Sequence, residues 1–106
     1  AEGLRAYCTP RHALDLGRRG KRMNPICPEE LRARIAAAND GGFQEYWLMR
    51  EIDNLHAEMG SIRMYSRRGR YPGSFYEYSV LTARISNARA QLDWLRARNE
   101  ELVAAP

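Results

Sequence analysis

The sequence predicts an all-α protein: a long antiparallel helical hairpin, coiled-coil-like, preceded by short helices that a disulfide would close. Three observations lead there. Leu48, Ile52, Leu55, Met59 and Ile62 recur at alternating intervals of four and three residues. Tyr78, Leu81, Ile85, Ala88, Leu92 and Leu95 do the same, and the stripe resumes at Leu102. Such spacing averages about 3.5 residues and keeps one apolar seam on one side of a helix. Between the stripes lies a single break rich in arginine, glycine and proline. Valine occurs only at Val80 and Val103, while alanine, leucine, arginine and glutamate abound. That balance favours helix over sheet.

The elements follow in chain order. Ala1 to Tyr7 read as the end of a helix, as expected of a mature or trimmed chain whose start has been removed. Thr9-Pro10 is a helix start, with threonine as N-cap and proline in the first helical position. The short helix runs from Arg11 to Leu16 and is expected to stop at Gly17 as the C′ residue. A polar loop, Arg18 to Asn24, leads to Cys27-Pro28-Glu29-Glu30, a second start with acidic residues in the first turn. Pro28 to Ala38 then reads as helix, with Leu31, Ile35 and Ala38 on one stripe. Asn39-Asp40-Gly41-Gly42 predicts a break or kink, because each glycine costs about 1 kcal/mol inside a helix.

From Phe43 to about Ser66 the pattern is strongly helical. Arg67-Arg68-Gly69-Arg70-Tyr71-Pro72-Gly73 cannot continue it, so the chain turns there. Ser74 is the expected N-cap of the last helix, with Glu77 completing a capping box, and the helix runs to about Val103. The domain organisation is therefore residues 1–40 as a disulfide-closed segment and 41–106 as the hairpin, in one structural domain. A turn near Arg70 makes Ile62 face Tyr78 and Leu81, Leu55 face Ile85 and Ala88, and Leu48 face Leu92 and Leu95. It also sets Trp47 opposite Trp94 as an aromatic plug. Ala83, Ala90, Ala97 and Ala104 repeat every seven residues. They are either generic helix formers or a flat seam for a third layer, supplied by residues 28–38 or by a second copy.

The 106 residues suit one domain, and a net charge of +4 rests almost wholly on arginine, since Lys21 is the only lysine. With 44% hydrophobic and 28% charged residues, most of the chain is expected to fold. No apolar run approaches the roughly 18 residues of a membrane span.

Cys8 and Cys27 are the only cysteines. They are either two buried free thiols or one disulfide. An even count in a small chain favours the crosslink, and closing a loop of roughly 20 residues contributes about 3 kcal/mol. A metal site needs three or four ligands and finds only His12 nearby. The spacing is not that of a Cys-x-x-Cys redox pair.

Gly3-Leu4-Arg5-Ala6-Tyr7-Cys8-Thr9-Pro10, then Leu16-Gly17, Gly20 and Cys27-Pro28, resembles the DUF2799 family of bacterial envelope proteins, to which no activity is assigned. The motif covers residues 3–28, about a quarter of the chain. The Trp- and Gly-rich segment that typical members carry before the first cysteine is absent here, and Asn39-Asp40-Gly41-Gly42 departs from their continuous tail. The resemblance implies an oxidising periplasm and with it the disulfide.

No catalytic constellation stands out. His56 has Asp53 three residues before it and Gly60 four after, a thin match to a metal site; a boundary histidine is the simpler reading. The serines lack a nucleophile elbow, and no phosphate loop follows a strand. Neither enzyme activity nor a cofactor is expected. Arg67, Arg68, Arg70 and Tyr71 form one candidate interaction tip. Arg18, Arg19, Lys21 and Arg22 form a second basic loop. The expected role is a non-catalytic structural or interaction protein of the periplasm, binding a protein partner, a second copy or an anionic envelope component. Membrane contact would come only through an upstream anchor. The alternative is a cytoplasmic nucleic-acid-binding helical protein, disfavoured because the charges lie in loops and the helices carry mixed charge.

Overall fold

A computed structural model describes the backbone of residues 2–67 and 74–105 and the side chains of residues 3–62 and 75–105. Four helices form in chain order: α1 (Glu2–Tyr7), α2 (Pro10–Arg18), α3 (Glu29–Arg67) and α4 (Ser74–Ala104). Among the described residues there is no strand, so the all-α class and the long helix pair stand. The chain resolves into two compact units. Unit 1 comprises Ala1–Trp47 and Asp93–Pro106, and unit 2 comprises Leu48–Leu92. The divisions fall inside both long helices.

In unit 1, α2 is capped at both ends by its own sequence. The Thr9 hydroxyl accepts the His12 backbone N–H at 3.1 Å, and Pro10 opens the helix. The helix does not stop at Gly17, as the glycine alone suggested. It continues to Arg18, and Gly20 takes the left-handed conformation with φ 75°. Lys21 N–H then reaches the Leu16 carbonyl at 2.9 Å and Gly20 N–H the Gly17 carbonyl at 2.8 Å. This pair of bonds is a Schellman closure, so Gly20 is the C′ residue.

Gly17 serves a different purpose. A Cβ there would run into the Asn39 carbonyl oxygen and lie 2.9 Å from the Gly42 Cα; a Cβ on Gly42 would strike the Leu14 carbonyl oxygen. Helices α2 and α3 therefore cross backbone against backbone at these two glycines. Gly41 is closed off by α4, where a Cβ would run into the Asn99 side chain. The predicted break at residues 39–42 does not occur: α3 is continuous from Glu29 to Arg67. The propensity cost of the glycines is offset by the packing they permit. Leu14, fully buried beside this crossing, alone contributes about 1.5–3 kcal/mol.

The connection from α2 to α3 is held by three devices. Cys8 and Cys27 form a disulfide with Cα atoms 5.5 Å apart. Asn39, buried in α3, donates from Nδ2 to the Ala13 and Lys21 carbonyls, both at 3.0 Å. The Tyr7 hydroxyl accepts the Asn24 backbone N–H at 2.6 Å. Around them a core of Cys8, Ala13, Leu14, Cys27, Ile35 and Ala38 closes, flanked by Tyr7, Met23, Leu102 and Val103. Leu31, expected on the same stripe as Ile35 and Ala38, is exposed.

One further expectation is corrected. Trp47 and Trp94 are 60% and 62% exposed, so they seal nothing. The Trp47 ring lies edge-on to Tyr46 at 5.5 Å and the Arg98 guanidinium sits over Trp94 at 5.3 Å. Ala83, Ala90, Ala97 and Ala104 are all exposed. The third layer that unit 1 does possess is α2, applied at the glycine crossing, and residues 28–38 simply extend α3.

Unit 2 is the antiparallel pair itself. Ile52, Leu55, Leu81, Ile85, Ala88 and Leu92 are buried together, with Leu48, Met59 and Ile62 packed against them. These are the predicted stripe residues. Arg67, expected in the turn, is still helical; the rest of the expected turn, 68–73, and the side-chain cap at Ser74 lie outside the described residues.

Candidate interaction surfaces

The second basic loop is largely neutralised. Arg18 is the last residue of α2, and its Nε donates to both carboxylate oxygens of Glu45, at 3.0 and 3.1 Å. Its Nη1 also lies 3.0 Å from Glu100. Arg22 binds Asp40 at 2.7 Å and lies over the Phe43 ring at 4.0 Å. Arg19 is exposed, with Nε donating to the Asp15 carbonyl at 3.4 Å; Lys21 is exposed as well. Only two of the four cations thus face solvent without a carboxylate. Arg67 closes α3, but its side chain, together with Arg68, Arg70 and Tyr71, lies outside the described residues.

Glu45 is the functional-looking group that composition and motif searching passes over. It is 3% exposed. It accepts Asn99 Nδ2 at 2.7 Å, and Arg96 Nε lies 3.6 Å away. A carboxylate removed from water persists only when its lone pairs are filled and its charge is matched. Arg18, Arg96 and Asn99 meet both conditions. A signal was present: Glu45 is three residues before Leu48, and Asn99 is four after Leu95 and three before Leu102. Both occupy seam positions, where a polar residue asks for a partner across the pair.

Beside this cluster, Glu100 accepts both terminal nitrogens of Arg11, at 3.0 and 2.6 Å. The hydrogen bond from Arg11 is the main reason its carboxyl is lowered to about 2, with Arg18 adding to the effect. The same bond raises Arg11.

Among the described residues a groove opens in each unit. One, of about 240 Å³, lies beside the α2–α3 connection, lined by Met23, Cys27, Ile35 and Asn39 and rimmed by Arg22, Arg32 and Asp40. Arg32 Nε donates to the Cys27 carbonyl at 3.0 Å. The other, of about 300 Å³, lies in unit 2 and is lined by His56, Met59, Thr82, Ile85, Ser86 and Arg89. Across it Arg89 Nη2 is 3.2 Å from His56 Nε2. His12 packs tilted against the Tyr7 ring, centroids 5.1 Å apart. Among the described residues no cluster of three or more His, Cys, Asp or Glu could hold a metal ion, and no helix is long and apolar enough to cross a membrane.

No family model, curated protein or solved structure matches this chain.

Proposed function

We propose that this chain is a non-catalytic structural or interaction protein of an oxidising compartment, the periplasm or cell envelope, that engages another macromolecule through its helical surface. The Cys8–Cys27 disulfide carries the reading. Disulfides persist where the surroundings are oxidising and are rare where thiol buffers keep cysteines reduced. The likeness of residues 3–28 to the DUF2799 envelope proteins supports the same compartment.

Binding through the helical surface is supported by what the long helices leave bare. Phe75 and Tyr76 at the start of α4 are 85% and 73% exposed, and Trp47 and Trp94 are also mostly exposed. Large aromatic side chains are the groups most enriched at protein interfaces. The nucleic-acid alternative loses ground at the second basic loop, where Arg18 and Arg22 are already paired with carboxylates. A phosphate would have to displace those partners before gaining either cation.

The test is the thiol state in the native host. Cells quenched in acid and alkylated under denaturing conditions should yield protein of unmodified mass that gains two alkyl groups only after reduction. Osmotic shock should release it with periplasmic markers. Recovery of the chain doubly alkylated without reduction, in the cytosolic fraction, overturns the proposal.

A further inference from the structure

Arg11, Arg18 and Arg22 of unit 1 are matched by carboxylates: Arg11 and Arg18 by Glu100, Arg18 by Glu45 and Arg22 by Asp40. Arg89 in unit 2, like Arg19, is not. Among the described residues no carboxylate lies within ion-pair distance of it, although Asp93 follows four residues later on α4. Its partner is an imidazole nitrogen. A guanidinium only donates, so in this contact His56 Nε2 is the acceptor. The hydroxyl of Thr82 is committed to the Tyr78 carbonyl at 2.9 Å. That of Ser86, one turn before Arg89, has no partner among the described residues. Below these polar groups the groove floor is Met59, half-buried, and Ile85, buried.

We propose that this groove binds a small amphipathic carboxylate, its anionic head on Arg89 and Ser86 and its short alkyl part on Met59 and Ile85. Charge selects the head: a planar guanidinium meets a carboxylate through two parallel hydrogen bonds, a stronger pairing than the single imidazole nitrogen it now holds. Size selects the tail, since about 300 Å³ is the lower limit of small-molecule sites. In the smaller groove of unit 1, Arg22 is matched by Asp40 and Arg32 donates to the Cys27 carbonyl. The site does not depend on the compartment proposed above.

The probe is hexanoate, titrated into the isotope-labelled full chain at constant ionic strength, reading the Met59 methyl and His56 ring signals by NMR. Saturable shifts at both are expected. Acetate, with the charge and no chain, and hexanol, with the chain and no charge, should each bind at least tenfold more weakly. Arg89→Gln should weaken hexanoate by at least tenfold while keeping the helical circular dichroism, because Arg89 is exposed. Absence of a saturable response, or equal affinity for hexanoate in Arg89→Gln or for acetate or hexanol in the native sequence, overturns the proposal.

Discussion

Glu100 accepts two hydrogen bonds from Arg11 and lies against Arg18, and its carboxyl is lowered from 4.5 to about 2. The folded chain therefore binds a proton at this site less readily than the unfolded chain. The stabilisation is complete above the ordinary carboxylate value and is lost as pH falls from about 4.5 towards about 2. Both side chains are about half exposed, so the effect is modest and weakened by salt. Urea midpoints measured between about pH 5 and about pH 2 should fall more steeply in the native sequence than in Glu100→Gln. Parallel slopes would remove this ion pair as a contributor. At the same scale, Glu45 shows what a sequence can reveal and what it withholds. Its position in the seam is plain beside Leu48, Ile52 and Leu55. That its answering groups are Arg18 and Asn99 depends on how α2 and α4 meet α3, and no local pattern encodes that.

The helices invert the usual meaning of glycine. Gly41 and Gly42 lie mid-helix and read as a break, yet the seam itself runs through them: Ala38, Gly41, Glu45, Leu48 and Ile52 keep the alternation of three and four. Periodicity was the better guide than propensity, because tertiary packing outweighs a preference of about 1 kcal/mol per residue. The other half of the explanation, the crossing with Gly17, is a long-range contact and was not legible. Gly42→Ala should cost about 2–3 kcal/mol by overpacking against the Leu14 carbonyl. Gly60, also within α3, has nothing within 4 Å of the position its Cβ would take. Gly60→Ala should therefore stabilise by about 0.5–1 kcal/mol. Chemical denaturation of the two variants gives shifts of opposite sign; equal shifts would refute the crossing. The ends of α2 were half legible. Thr9-Pro10 starts it as expected, but Gly20, not Gly17, stops it, because two glycines three residues apart compete for one C′ role.

For the molecule as a whole, the apolar stripes mark the core of unit 2 residue by residue, while unit 1 rests on a mixed core, a disulfide and a buried polar cluster. The crosslink belongs to unit 1 alone. Replacing Cys8 and Cys27 with serine should cost about 3 kcal/mol by chain entropy. Hydrogen exchange should locate the loss, with amides at Ala13, Leu14 and Ala38 losing protection and those at Leu55 and Ile85 changing far less. Uniform loss across both sets would mean that the two units open as one. The surface was the least legible level. The aromatic pair Trp47 and Trp94 looked like interior residues by chemistry, and only coordinates place them in solvent.

The contact between Gly17 and Gly42 also limits how this protein can change. A side chain at either position has no empty space to enter, and a compensating change at the other is not available, since nothing is smaller than hydrogen. In a saturation library selected for folded protein, these two codons should stay invariant while Gly3, which has open space around it, drifts freely. Such a screen reads the tightest joint of the molecule from survival alone.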